Sequence, residues 1–422
     1  MRQGTREKGI AMLPPVLEIY VVWHPGDTAG EHITDTLLAH FRGTAFSGLI
    51  GGAIDVYVRA ISSSGSADDA PPPIPALDPP PYDLAVARHT AVVVVGGTEL
   101  AASVQTGGPW RSFIEAIMAA RTADRDKVGV FPVRVAPLAF DKTHLGAVVA
   151  DPQLIAVDAW GTDLFDETLC RDLAQGIAQM VDPAHERLKV FISHTKRHAE
   201  DEQGAVRRLV ELVRSVIGGT RLADFFDAAD LQPGEDWAPK LVEEAAHSAL
   251  LAVRTDLYSS RPWCQREVLT AKRHGMPVVV LDGLTIGEER GSFLMDHVPR
   301  VPGHRKRKNA WSSASIRVAL NHLVDECLKR ALWNTQREIA EGLIDVEIDW
   351  WAPHAPEPAT FAEWLDTGID RTKKATETII VLHPDPPLGD DERDVLVQIG
   401  RLAGLAGQFE FLTPRGLAVH GV

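Results

Sequence analysis

The stretch that decides the fold of this chain is SALLAVRTDLYSSRPWCQREVLTAKRHGMPVVVLDG, which runs from Ser248 to Gly283. It opens with an apolar run of strand length, passes through polar turn residues into a helical segment, and closes with a β-branched run. A strand, a helix and a second strand in this order predict two parallel strands joined by a crossover helix. The same alternation continues on both sides of the stretch, so we expect an α/β protein with parallel sheets.

Three blocks of this alternating pattern follow one another along the 422 residues. We predict an α/β domain over residues 1–182, a second over 186–335, and a small C-terminal α/β domain over 340–422. Within the first block, the segment ISSSGSADDAPPPIPALDPPP, residues 61–81, is rich in serine, aspartate and proline. Because proline removes backbone donors and the polar part buries nothing, we expect this segment to be an exposed, extended loop.

The composition limits the classes of function. The formal net charge is −15, and a protein that binds duplex nucleic acid usually carries a basic face, so the charge argues against nucleic acid as the main partner. The chain has no apolar run long enough for a membrane span and no secretory signal pattern at its start. Its three cysteines (Cys170, Cys264 and Cys327) are widely spaced, which indicates neither a disulfide framework nor a metal site and fits a cytoplasmic location.

Polar segments follow three predicted strands of the second block. They read SHTKRHAED (193–201), DAADLQPGEDW (227–237) and RTDLYSSRPWCQRE (254–267). The carboxyl ends of parallel strands lie at one edge of a sheet, and ligands gather at that edge. We therefore expect the three segments to meet and to form the functional site of the second domain.

In this order, the three segments resemble those of the TIR domain family. VFISH resembles the family's first strand, and DAADLQPGEDW resembles its BB loop, with Pro233 and Gly234 at the turn. The WCxxE signature of NAD-cleaving members is present as Trp263, Cys264 and Glu267. The resemblance covers roughly residues 186–334. It implies a flavodoxin-like, doubly wound parallel sheet for the second domain, preceded by a TIR-like domain and followed by the small α/β domain.

The resemblance also implies that the second domain hydrolyses NAD+, which is then a substrate, with no further cofactor. Nicotinamide is cationic in NAD+ and departs neutral, so the main difficulty is the positive charge that develops on the ribose. A nearby carboxylate stabilises that charge and holds ribose hydroxyls, so one glutamate, Glu267, suffices as the catalytic residue. Trp263 lies four residues before Glu267 on the same helix face and offers a flat apolar wall for a ring.

Other residues of the three segments are candidates for contact with the dinucleotide. Ser193, His194 and Thr195 lie at the end of the first strand of the domain, and Asp227 and Gln232 belong to the BB loop segment. The alternative for Asp227 and Gln232 is that they make the loop's own turn hydrogen bonds. The chain contains no G-x-G-x-x-G, so dinucleotide binding here does not follow the dehydrogenase fingerprint.

The first block departs from the WCxxE pattern. Its Trp110 is followed by Glu115, a spacing of five residues, which on a helix turns the carboxylate by about 100° relative to a spacing of four. We therefore predict that the first domain is TIR-like or flavodoxin-like and non-catalytic. In an arbitrary helix, the ordinary interpretation of Trp263 and Glu267 is a core tryptophan and a surface charge.

The resemblance implies a bacterial-type TIR effector that consumes NAD+ when it is activated by oligomerisation, in antiphage defence. Self-association through the TIR domain, triggered by an activating partner protein or a small-molecule signal, makes this a form of signal transduction. The alternative is a non-catalytic TIR adaptor or scaffold that assembles signalling partners through the BB loop. A further alternative is a nucleoside ribosyl-transfer enzyme. The presence of both Trp263 and Glu267 favours an enzyme, because an adaptor needs neither.

Overall fold

In the computed structural model of the protein, parallel strands alternate with helices along the chain, which confirms the predicted α/β class. The structure describes residues 15–43, 46, 54–75, 77, 87–150, 154–156, 164–183, 188–195, 203–222, 225–227, 237–288, 290–307, 310–342, 347–369, 378–405 and 408–414. The chain divides into two compact units. One unit comprises Met1–Pro132, Ala136–Pro152 and Leu332–Val422, and the other comprises Val133–Val135 and Gln153–Ala331.

The first sheet is built by the N-terminal part of the chain. Its strands and helices are β1 (Leu17–Val22), α1 (Ala29–Phe41), β2 (Ile54–Arg59), β3 (His89–Gly96), α2 (Thr98–Thr106), α3 (Pro109–Ala123), β4 (Val128–Arg134), α4 (His144–Val148) and β5 (Ile155–Ala156). The strand order is β2-β1-β3-β4-β5, and β1 pairs in parallel with both β2 and β3. All eight residues of β3 are buried, as expected for a β-branched strand that is covered on both faces.

The second sheet has the strand order that brings the candidate site together. The elements are α5 (Phe165–Val181), β6 (Val190–His194), α6 (Gln203–Gly218), β7 (Phe225–Asp227), α7 (Trp237–His247), β8 (Ala249–Arg254), α8 (Pro262–Arg273), β9 (Val278–Asp282), β10 (Arg300–Pro302), β11 (Arg305–Arg307), β12 (Ala310–Trp311) and α9 (Ser313–Glu341). The order is β10-β9-β8-β6-β7 with all neighbours parallel, while β11 and β12 form a separate antiparallel pair.

A third, small sheet lies in the C-terminal part of the chain. Its elements are β13 (Trp350–Trp351), α10 (Pro358–Thr367), β14 (Ile379–Leu382), α11 (Asp390–Leu402) and β15 (Phe409–Leu412). The strands pair in parallel in the order β13-β14-β15. The core under this sheet is aromatic. Trp350 stacks on Trp364 with ring centroids 5.0 Å apart, and Phe361 is packed among them.

The proline-rich segment of the first block is not the fully exposed loop that its composition predicted. Within its described residues, Ile74 is buried in the core with Tyr20 and Leu100, and Leu77 packs against the same core. The carbonyl of Ala67 accepts a hydrogen bond of 2.9 Å from the indole nitrogen of Trp110. Proline restricts the backbone but does not prevent a neighbouring isoleucine from entering a core, so the prediction was wrong for this part of the segment.

Candidate active site

The site lies at the carboxyl edge of the second sheet, where β6 and β8 end side by side. Ser193 is paired with Ala252 and His194 with Val253 across these two strands. Helix α8 begins at Pro262, and a proline suits the first helical position because its backbone has no donor to satisfy. This start places Glu267 in the second turn of α8, at the edge formed by β6 and β8.

The centre of the site is a chain of three buried polar groups. The hydroxyl of Ser193 donates to Glu267 Oε2 over 2.5 Å, and the same hydroxyl lies 2.5 Å from the Tyr258 hydroxyl. The exposed fractions are 1% for Ser193, 6% for Glu267 and 0% for Tyr258. Because Ser193 has a single proton and gives it to Glu267, Tyr258 must donate to Ser193. Glu267 is therefore not a surface charge but the acceptor at the end of a directed hydrogen-bond chain.

The surroundings of Glu267 keep the neighbouring acidic groups protonated. Burial raises the pKa of Tyr258 well above its ordinary value, and the nearby Glu267 raises it further. Burial likewise raises the pKa of the Cys264 thiol, with Glu267 as the next contribution. Tyr258 thus stays a hydrogen-bond donor, and Cys264 is a packed thiol rather than a nucleophile.

The other predicted site residues differ in burial and in their contacts. Trp263 is half-buried, and the guanidinium of Arg266 lies 4.5 Å from the centroid of its ring. His194 is half-buried with Nδ1 3.3 Å from the carbonyl of Thr195, and Thr195 is buried. Asp227 ends β7, where it pairs with Ile192 of β6.

Gln232 and the rest of the predicted BB loop, including Leu231, Pro233 and Gly234, lie outside the described residues. A direct hydrogen bond thus joins Ser193 to Glu267, and His194 and Thr195 lie at the same strand end.

Sequence reasoning missed the residues that fix the loop between β8 and α8. Tyr258 is the one aromatic residue in the polar run TDLYSSR, and that isolation was a usable signal for it. Arg254 donates to Asp282 over 3.0 Å and to Glu288 over 2.5 Å. Ser259 donates to the other oxygen of Glu288 over 2.7 Å.

A second anchor of this loop is Asp256. Its carboxylate accepts hydrogen bonds from the backbone of Thr285 (2.8 Å), Ile286 (3.0 Å) and Gly287 (3.2 Å), and from the Thr285 hydroxyl. Burial alone raises the pKa of Asp256, but these hydrogen bonds outweigh it, so the pKa lies below the usual value. The loop that carries Tyr258 is thereby tied to the loop that follows β9.

The first sheet has a different arrangement at the corresponding helix. Trp110 is buried in the core, whereas the Glu115 side chain is half-exposed and lies 3.2 Å from His144 Nε2. At the end of β1 the carboxylate of Asp27 accepts from the backbone of Glu99 and Leu100, both at 2.9 Å, and so caps α2. Glu115 thus differs from Glu267 both in burial and in partner.

No protein-family model, curated protein or solved structure matches this chain. Among the described residues, no group of three or more histidine, cysteine, aspartate or glutamate side chains is arranged to hold a metal ion. Within the same residues, none of the helices has the length and apolar character needed to cross a membrane. Function is therefore to be inferred from the chemistry of the site itself.

Proposed function

We propose that the second sheet and its helices form an NAD+ glycohydrolase, which cleaves the nicotinamide–ribose bond to give nicotinamide and ADP-ribose or a cyclic variant. The observation that carries the proposal is the burial of Glu267, with Ser193 as its donor, at the carboxyl edge of a parallel sheet. Carboxylates are almost never buried unless they are paired, and the carboxyl edge of an open α/β sheet is where such folds bind ligands.

The order of strands supports a flavodoxin-like, TIR-type sheet. From the opposite edge the strand order is β7-β6-β8-β9-β10. When these five strands are numbered along the chain, the order is 2-1-3-4-5, which is the doubly wound order of flavodoxin-like folds. The switch point of such a sheet lies between its first and third strands, which here are β6 and β8. Ser193 is on β6 and Glu267 follows β8, so the candidate catalytic pair sits at the position where this fold class binds ligands.

The geometry suits stabilisation of a cationic ribose. As the bond to nicotinamide breaks, its electron pair goes to the ring nitrogen, and the positive charge moves to the anomeric carbon of the ribose. The carboxylate of Glu267 stabilises that charge, and Ser193 fixes its orientation through Oε2. Water then attacks the anomeric carbon and loses a proton to solvent, which completes ADP-ribose.

The biological setting follows from the TIR resemblance. We place the protein in the cytoplasm as an effector that is activated by self-association in antiphage defence, in response to a partner protein or a small-molecule signal. The competing adaptor hypothesis rests on the BB loop alone and requires no carboxylate. A ribosyl-transfer enzyme would share the glutamate but deliver the ribose to an acceptor other than water.

The test is Glu267→Gln in the full-length protein, assayed by release of nicotinamide from NAD+ with product analysis. Gln keeps the size and helix propensity of the side chain but removes its charge. We expect turnover to fall by at least about 100-fold, while the variant remains folded.

The matched control is Glu115→Gln, the half-exposed glutamate of the first sheet, which should leave turnover unchanged. Near-normal turnover by the Glu267 variant would remove the catalytic assignment. A comparable loss in the Glu115 variant would move the active site to the first sheet. A wild-type protein with no turnover at any concentration would favour the adaptor, and a ribosylated acceptor in place of ADP-ribose would favour the transferase.

A further inference from the structure

Arg261 carries a charge that the described part of the protein does not neutralise. The residue is half-buried at the start of α8, and its Nε is buried with no hydrogen-bond acceptor. Within the described residues, its guanidinium makes neither a hydrogen bond nor an ion pair. A guanidinium has five donors, and polar groups that are buried without partners are rare enough to require an explanation.

The backbone of Arg261 is held firmly in spite of this. Its N–H donates to the carbonyl of Tyr258 over 3.0 Å, and its own carbonyl accepts from the backbone of Gln265 over 3.1 Å. The side chain of Gln265 in turn donates to the carbonyl of Ser259 over 2.6 Å. The unmatched guanidinium is therefore carried by an ordered turn and not by a loose chain segment.

Three acidic groups in the described part of the neighbouring loops already have other partners. Asp282 and Glu288 pair with Arg254, and Asp256 accepts four hydrogen bonds from the loop after β9. Both arginines flank the same loop, but among the residues that the structure describes Arg254 has acidic partners and Arg261 has none. The position of Arg261 thus favours an acceptor that comes from outside the chain.

Arg261 and Glu267 both act electrostatically on the Cys264 thiol, which lies between them in sequence. Burial raises the pKa of this thiol most, Glu267 raises it further, and Arg261 lowers it. Along the helix axis the two residues are separated by six steps of about 1.5 Å, or about 9 Å in all. A cation and the proposed catalytic carboxylate therefore stand at the same end of α8.

We propose that Arg261 binds the diphosphate of the substrate, so that the site selects phosphate-bearing nucleotides over nucleosides. This inference rests on the proposed NAD+ glycohydrolase function. In NAD+ the ribose that carries nicotinamide is bonded directly to the diphosphate, so a ribose held at Glu267 presents its phosphates to a cation near by. The planar fork of arginine matches two phosphate oxygens at once, which makes arginine better suited than lysine to this contact.

The experiment compares two substrates that share the scissile bond but differ in phosphate. Full-length wild type, Arg261→Gln and Arg261→Lys are assayed for release of nicotinamide from NAD+ and from nicotinamide riboside. Arg273→Gln, an exposed arginine at the other end of α8, is the charge-matched control. In parallel, ADP-ribose is titrated into each protein by calorimetry, a readout that needs no catalysis.

We expect Arg261→Gln to raise KM for NAD+ by about 10- to 100-fold with little change in kcat, and to leave the riboside unaffected. Arg261→Lys should fall between, and Arg273→Gln should match wild type. An unchanged KM for NAD+, or equal losses on both substrates, would overturn the assignment while the glycohydrolase function stands. A wild type that binds ADP-ribose but cleaves nothing, with binding lost in Arg261→Gln, would refute the glycohydrolase and keep the diphosphate site. Absence of both cleavage and ADP-ribose binding would refute both.

Discussion

Ser193 forms hydrogen bonds with two buried groups, as the donor to one and the acceptor from the other. It gives its proton to Glu267 and takes one from Tyr258, so its removal leaves a buried carboxylate without this donor and a buried hydroxyl without its acceptor. Removal of the Tyr258 hydroxyl leaves the contact between Ser193 and Glu267 in place. The Ser193 hydroxyl therefore has two partners to satisfy, whereas the Tyr258 hydroxyl has Ser193 as its acceptor.

We predict that Ser193→Ala lowers the free energy of unfolding more than Tyr258→Phe does. A buried group that loses its partner costs about 1–3 kcal/mol, whereas a single neutral hydrogen bond contributes about 0.5–1.5 kcal/mol net. Urea unfolding of both variants measures the difference. Ser260→Ala, an exposed serine in the same loop, is the control and should stay within about 0.5 kcal/mol of wild type. A larger loss in Tyr258→Phe than in Ser193→Ala would contradict the direction assigned to the chain.

At the scale of an element, the loop between β8 and α8 behaves as a clamped segment. Arg254, Asp256 and Ser259 each bond to the segment 282–288, so both ends of this connection are tied to the loop after β9. The turn itself continues through bonds from Tyr258 to Thr255 and from Arg261 to Tyr258, of 2.9 and 3.0 Å. The clamp holds the loop that carries Tyr258 and Arg261 at the carboxyl edge of the sheet, where β6 also ends.

We predict that Asp256→Asn destabilises the protein at pH 7 and that the loss shrinks in acid. Because the pKa of Asp256 is lower in the folded than in the unfolded chain, its contribution is fully present above the unfolded pKa, about 3.9, and is lost as the pH falls through the folded pKa. The difference in unfolding free energy from wild type should be about 1–2 kcal/mol and constant from pH 7 to 5, then decrease below about pH 4.

Unfolding curves of wild type and variant across this pH range provide the measurement. Asp296→Asn serves as the control, because within the described part of the chain this exposed carboxylate makes only a long contact of 3.5 Å with Arg300. Its effect should remain within about 0.5 kcal/mol at each pH. A difference for Asp256→Asn that grows as the pH falls would show that its hydrogen bonds do not favour the charged form.

At the scale of the whole molecule, the proposed activity depends on how substrate reaches Glu267. Only 6% of this residue is exposed in the single chain. The proposed function includes activation by self-association, and the segment predicted to mediate it is the BB loop. The net charge of −15 opposes such self-association, and salt weakens that repulsion.

We predict low basal NAD+ cleavage by the full-length protein. Turnover per molecule should rise steeply as the protein concentration is raised about 100-fold, and moderate salt should raise it further. Pro233→Ala combined with Gly234→Val should abolish the rise, because the sequence predicts that this proline and glycine together set the BB loop turn. Sedimentation at each concentration reports the oligomeric state. Full activity from a monomer, unchanged by the loop variant, would leave only a gate within one chain.

The fold class was predictable because it depends on local patterns. The β-branched run of β3 and the strand–helix–strand stretch from Ser248 to Gly283 carry their periods within a few residues, and both formed as predicted. The burial of Ile74 was not predictable in the same way. The proline-rich composition around it indicates the backbone conformation but not whether the side chain enters a core. Local composition fails where a distant surface decides the burial of one side chain.

By itself the sequence determined the alternation of strands and helices, the polar strand ends and the candidate glutamate, since each of these is written in neighbouring residues. Only the tertiary structure decided that Ser193 meets Glu267 and Tyr258, which are 74 and 65 residues away. It likewise decided that Glu267 is buried while Glu115 is half-exposed, although both follow a tryptophan on a helix. The physical reason is that hydrogen-bond partners and burial depend on which distant segments pack together, and a short sequence pattern does not specify the segment that it contacts.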